Sequence, residues 1–230
     1  EVVFDDLRRG DDHPCFLEEV GSLGGADLAG EDDDLVVGHF VECFAVLFVY
    51  VGALFSTLVL FLEVRELGVF GLGPQGSSGI FMAVTVLVAG AFMFASGYVT
   101  DRRKSRVPAL LAFLAVMSIG FVLLARAESL GALTLACGCI GAGQGGVSGP
   151  LMALLADLTP DEQMGRAVGT NNAFGDIGGG LGPVVTLPII DTVGFWPVYL
   201  TCALLPAAAA FVLLGGVFRE TGQFLPSVEL

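Results

Sequence analysis

The chain has 230 residues, of which 54% are hydrophobic and only 15% charged, and its formal net charge is −14. Soluble domains carry about 25% charged residues, so a chain this poor in charge cannot cover itself with polar surface in water and is expected to lie in lipid. An ordinary soluble enzyme is thereby excluded, and the acidic balance offers no footing for nucleic acid. The negative charge is also local. Twelve of the 24 acidic residues fall in the first 34 positions, ending in Glu31-Asp32-Asp33-Asp34. Together with Gly10, Gly21, Gly24, Gly25 and Gly30, this makes residues 1–36 read as a solvated, flexible tail or inter-domain loop. The chain begins at Glu1, without a basic n-region, and is read as leaderless and as a piece of something larger.

Six stretches follow that are long enough to cross a hydrocarbon core as helices: 37–62, 79–100, 107–125, 130–156, 166–190 and 194–218. Helices are required because every backbone N–H and C=O in lipid needs an internal partner, and the period-2 alternation of a barrel is absent. The fold class is therefore all-α, a membrane protein of six transmembrane helices. The first and third spans are rich in Phe, Val and Leu and are predicted to be peripheral. Between the first two, residues 63–78 contain Gly-Pro and Ser-Ser, which should break the chain before the second span. The fourth span carries Gly-Cys-Ile-Gly-Ala-Gly-Gln-Gly-Gly-Val-Ser-Gly-Pro at 138–150, and the fifth Gly-Asp-Ile-Gly-Gly-Gly-Leu-Gly-Pro at 175–183. Such small residues let backbones approach, so these two helices are predicted to be central, with packing the favoured role of their glycines. Pro150, Pro183 and Pro188 would kink them unless neighbours compensate. Cys43, Cys137, Cys139 and Cys202 lie in apolar runs and Cys15 in the tail; Cys137-x-Cys139 lacks a second ligand pair, so no metal is expected. Residues 219–230 form a short terminal tail.

Orientation follows from the basic residues. Arg8, Arg9, Arg102, Arg103, Lys104, Arg106, Arg166 and Arg219 fall on one side of the six spans, and only Arg65 and Arg126 on the other. Eight against two places both termini in the cytoplasm of a multi-pass protein of the cell membrane. The outer end of the sixth span, at Trp196 and Tyr199, reads as an interfacial aromatic anchor.

Between the second and third spans the chain runs Gly-Tyr-Val-Thr-Asp-Arg-Arg-Lys-Ser-Arg, residues 97–106. This resembles the loop signature of the major facilitator superfamily, G-x-x-x-D-R-x-G-R-R. Gly97, Asp101, Arg102 and Arg106 match it, while Lys104 replaces the loop glycine and Ser105 the next basic position. Residues 156–183 similarly resemble the connection into the fifth helix, and the fifth helix itself, in the C-terminal half of drug- and metabolite-type members. The resemblance covers about residues 38–220 and implies one six-helix half of a twelve-helix transporter, its partner being the missing N-terminal half. It further implies that the two halves rock about a midplane site. Asp101 would be a latch carboxylate for a helix start in the other half, and the fifth helix start near Gly165 and Arg166 the reciprocal acceptor. Alternatively, Asp101 and Arg102 simply pair at the membrane surface.

Ionisable or strongly polar groups inside spans are costly, and so are functional candidates. Asp176, with Asn171 and Asn172 beside it, is a candidate to carry a proton or coordinate a polar or cationic substrate. A packing hydrogen bond to a neighbouring helix is the competing role. Gln144 is a candidate cavity residue. Glu42 and His39, three apart on one face, form either a proton relay or, the favoured reading, side chains reaching interfacial water. Asp157 and Asp161 are expected to be solvated. A membrane serine protease is excluded: Gly146-Val147-Ser148-Gly149 has no histidine after it to serve as base, and both His13 and His39 precede it. Asp157 and Asp176 likewise do not make an aspartyl pair, and no enzyme activity is expected. With no G-x-x-x-x-G-K-[ST] phosphate loop, transport is expected to be secondary rather than ATP-driven, with no cofactor, and the resemblance implies ion-driven efflux of a small organic molecule. Its rival is a non-transporting six-helix module acting only in association.

Overall fold

The computed structural model describes residues 33–103 and 107–221. The acidic tail through residue 32, the hinge positions 104–106 (including Arg106) and residues 222–230 lie outside them. The described residues from Asp34 onward form one compact unit. The first span, α1, is continuous through three segments: Asp33–Leu47, a π-helical Phe48–Phe55, and Ser56–Val64. It is followed by α2 (Pro74–Arg103), α3 (Val107–Ala125) and α4 (Leu130–Leu158). A 3₁₀ turn at Asp161–Gln163 then leads into α5 (Met164–Val193), and α6 (Phe195–Thr221) closes the unit. Among the described residues six helices are long and apolar enough to cross a membrane. Among the described residues there is no strand.

Local chemistry explains the boundaries. Helix α2 begins at Pro74, five residues before the expected 79, because proline is well suited to a first helical position, where its missing N–H would have no partner. The Gly-Pro pair therefore starts this helix rather than merely interrupting the chain. Ser77 serves the preceding loop instead of breaking the helix: its hydroxyl accepts from Val69 N–H (3.0 Å) and donates to the Leu72 carbonyl (3.3 Å). Ser129 caps α4 by accepting from Ala132 N–H at 3.3 Å. Gly194, at φ +84°, ends α5, and its N–H returns to the Ile190 carbonyl at 2.8 Å. Helices α4 and α5 continue through Pro150, Pro183 and Pro188 without ending.

Packing is built on close backbone approaches. In α4, a Cβ added to Gly141 or Gly145 would land on the carbonyl oxygens of Thr85 and Ala89 in α2. On another face of α4, a Cβ on Gly143 would meet Met117 of α3. Gly52 of α1 and Gly182 of α5 lie backbone to backbone. Packing against α4 selects one stripe of the uniformly apolar α3 for burial: Leu110, Leu114, Met117, Phe121 and Leu124 are all wholly buried.

Two expectations about position change. Helix α1, predicted to be peripheral, is the most enclosed, with 61% of its most apolar window buried, and α5, predicted to be central, has only 28%. Lipid tails are as apolar as a protein core, so bulky apolar composition does not tell the two environments apart. The central place of α4, at 56%, agrees with its glycines facing two neighbours.

Candidate functional site

Helix α5 presents different chemistry on its two sides. Its buried face repeats Asn171, Gly175, Gly178, Gly182 and Thr186 at helical spacing and lies against α1. Its exposed face carries Gly165, Gly169, Asn172, Asp176 and Gly180. Asn172 and Asp176 are four residues apart, one turn along that face, and both side chains are exposed. Among the described residues Asp176 makes no hydrogen bond to a neighbouring helix.

The cluster at the other side of α5 departs from the sequence reading. Glu42 and His39 do not reach interfacial water; both are 0% exposed. The cause is the α1–α5 crossing. Phe174 stacks on Phe40 with ring centroids 5.2 Å apart, and a Cβ on Gly175 would meet Leu47 and the Cys43 sulfur. This brings Asn171 over α1, where His39 Nε2–H donates to Asn171 Oδ1 (3.0 Å) and Cys43 S–H donates to the Asn171 backbone carbonyl (3.5 Å). Neither Glu42 oxygen, nor His39 Nδ1, has a hydrogen-bond partner among the described residues. Asn171 is thus a site residue for which only an accompanying role beside Asp176 was expected. Its register with Gly175, Gly178 and Gly182, rather than with Asp176, was the available signal.

Gln144 lies half-buried in α4, where its Nε2 donates to Ser148 Oγ (3.4 Å) and its Oε1 has no partner among the described residues. No described contact joins it to Asp176 or to Glu42. Gly97 is half-buried in α2, its amide nitrogen 3.6 Å from where a Cβ on Gly149 of α4 would sit. Arg102 is exposed and donates to the Tyr98 hydroxyl at 3.2 Å, one turn back on its own helix. Asp101 is in the helical backbone of α2, but its side chain lies outside the described residues. Gly165 and Arg166 are exposed in the first turn of α5, and no described residue would obstruct a Cβ at Gly165. Among the described residues no group of three or more His, Cys, Asp or Glu could hold a metal ion.

With six apolar spans, a charged hinge after the second and a polar face on the fifth, the sequence profile described as "Major Facilitator Superfamily" matches residues 33–183. The chain belongs to the major facilitator superfamily. It is 31% identical over 182 residues to the multidrug resistance protein MdtG of Yersinia enterocolitica, covering 77% of this chain and 42% of that protein. It is 30% identical over 190 residues to the inner membrane transport protein YajR of Escherichia coli K12, covering 75% of this chain and 40% of that one. The chain thus spans about two fifths of the length of these relatives. Among solved structures it superposes on an auto-inhibited POT family peptide transporter with a TM-score of 0.69 at 17% identity, over 85% of this chain and 39% of that one. The POT family transporter PepTSo gives 0.72 at 13% identity, over 88% and 40% respectively. At such identities the likeness concerns the fold alone.

Proposed function

We propose that the chain is one six-helix half of a secondary transporter that exports a small organic molecule by alternating access, driven by an ion gradient. The observation that carries this reading is Asp176. It stands 12 residues into the 30-residue α5, about 18 Å along the helix axis at 1.5 Å per residue, and it is exposed. A carboxylate facing lipid at such depth costs at least about 2.5–3.5 kcal/mol. The Asn172–Asp176 face therefore belongs against another protein element or a water-filled cavity. A second half would supply either, and α2 and α5, the two least enclosed spans, are where it would dock. The relatives' names, multidrug resistance and inner membrane transport, support transport and favour export. In this reading Asp176 and Asn172 face the transported ion or substrate, and Gln144 lines the cavity from α4. Asp101, with Arg102, Arg106 and Gly97 about it, latches the cytoplasmic side; Gly165 and Arg166 receive the reciprocal carboxylate at a positive helix end.

Substituting Asp176→Asn in the full-length protein, reconstituted in vesicles, tests the assignment. The variant is expected to insert normally and to lose proton-driven substrate accumulation. Wild-type accumulation with wild-type pH dependence would remove Asp176 from the mechanism. A full-length wild type that moves no substrate down or up any gradient would leave the chain an associating membrane module.

A further inference from the structure

Among the described residues two positions other than glycine adopt positive φ, Glu66 (+52°) and Phe70 (+54°), and both lie in the connection from α1 to α2. Glu66 is accounted for by the end of α1. Its N–H reaches the Glu63 carbonyl (3.2 Å) and the Leu67 N–H reaches the Leu62 carbonyl (3.1 Å), the paired bonds of a Schellman close around a left-handed residue. Phe70 has no such account. Gly71 follows it at φ +74°, and the Leu72 N–H donates to the Val69 carbonyl at 2.9 Å, so Phe70 is the first central residue of a tight turn of the I′ kind. Asn, Asp and Gly suit that position, because they tolerate a left-handed backbone and sit well in water. Phe does neither, yet its side chain is 92% exposed. The turn is also held against relaxation. Ser77, wholly buried in the first turn of α2, bonds both the Val69 N–H and the Leu72 carbonyl, and the Leu72 side chain lies where a Cβ on Gly76 would sit. A backbone clamped in a costly conformation that displays a bulky apolar ring marks a contact made outside the chain's own core.

The helices on either side say what surrounds that ring. Val64, the last residue of α1, is 61% exposed and Leu72 46%. Phe61 meets Phe195 edge-on at 5.3 Å, which puts the exposed Trp196 at the same end of the unit. At the opposite end of α2, the exposed Tyr98 hydroxyl accepts from Arg102, an aromatic and a cation together as at a lipid–water boundary. Pro74 stands 24 residues before Tyr98, about 36 Å along α2, against about 30 Å for a hydrocarbon core and about 40–45 Å with its headgroups. The turn just before Pro74 is thereby set at headgroup level, with Glu63, Arg65 and Glu66 exposed beside it to face water. We propose that Phe70 is a lipid-contact residue: the clamped Val69–Leu72 turn projects its ring into the boundary between headgroups and acyl chains, in the leaflet opposite the charged hinge. Taking the ring out of water there offsets the strain of its backbone. Val64 and Leu72 enter the same layer, and the Ser77 clamp ties the first turn of α2 to it. The contact requires neither a transport function nor a second half.

The test is Phe70→Trp in the full-length protein, reconstituted in phosphatidylcholine vesicles, with its fluorescence read as the difference from wild type. The added emission is expected at short wavelength, quenched by phosphatidylcholine brominated high on its acyl chains and little affected by aqueous iodide. Long-wavelength emission quenched by iodide would make the turn a solvated loop and overturn the proposal. Short-wavelength emission that neither brominated lipid nor iodide reaches would place the ring in a protein pocket, and overturns it as well. A second measurement uses the wild type and so depends on no variant's folding. Irradiated in vesicles containing phosphatidylcholine with a diazirine high on its acyl chain, the protein should carry lipid adducts on the 69–72 turn. Their absence overturns the proposal.

Discussion

Tyr199 shows how a single polar atom is accommodated in an apolar interior. Its ring is wholly buried between Phe61 and Phe195, and its hydroxyl lies 2.9 Å from Thr57 Oγ1. Thr57 in turn donates to the Ala53 carbonyl at 2.7 Å, so the Tyr199 hydroxyl is the donor in the pair. The two partners are therefore unequal. Tyr199→Phe removes one hydrogen bond and strands no donor, at a cost of about 1 kcal/mol, whereas Thr57→Val leaves a buried hydroxyl unpaired and costs about 1–3 kcal/mol. Thermal midpoints in detergent should fall in that order, with Thr57→Val the lower. Sequence placed Tyr199 at an interfacial anchor, and the structure buries it; Trp196, 51% exposed, keeps a place at the edge. The difference arises because Phe195 and Tyr199 turn the same face of α6 toward Phe61, which spacing within α6 alone does not reveal. Asn171 and Asn172 teach the same lesson. Adjacent in sequence, they fall on different faces of α5, Asn171 buried against α1 and Asn172 exposed.

At the scale of the element, α4 is a test of what its glycines are for. Gly145 and Gly138 are seven residues apart on one helix, but a Cβ at Gly145 would fall on the Ala89 carbonyl and a Cβ at Gly138 would meet no described residue within 4 Å. A backbone carbonyl cannot retreat as a flexible side chain can. Gly145→Ala should therefore destabilise by about 1–3 kcal/mol through overpacking, while Gly138→Ala leaves stability unchanged or slightly raised; thermal denaturation of the purified protein reads both. A matching loss in the two variants would assign the α4 glycines a role other than packing. The π-helical stretch of α1 belongs to this scale too. It ends where Ser56 and Thr57 donate to the carbonyls of Gly52 and Ala53, and it lies where Gly52 meets Gly182. No propensity in Phe48–Phe55 announces it. It is a property of the crossing.

For the whole molecule, the distribution of basic residues makes the sharpest claim. Tags at residues 70 and 104 of the full-length protein should label from opposite sides of the membrane, with 104 on the cytoplasmic side. Labelling from one side would overturn the six-span topology. On the latch role proposed for it, Asp101→Asn should slow transport at least tenfold while leaving insertion and expression intact; vesicle transport assays alongside membrane yield make that comparison. Unimpaired transport would reduce the signature to a surface charge cluster.

Length and apolarity were enough to count the spans, and the charged hinge with its spacing was enough to point to the superfamily, because crossing lipid and orienting in it depend on composition summed along the chain. Which side chains meet was another matter. The enclosure of α1, the burial of Glu42, and the contact of Asn171 with His39 and Cys43 were decided only when α5 crossed α1. In a medium as apolar as the protein's own interior, hydrophobicity cannot say which face of a helix turns inward. The contact between backbones does.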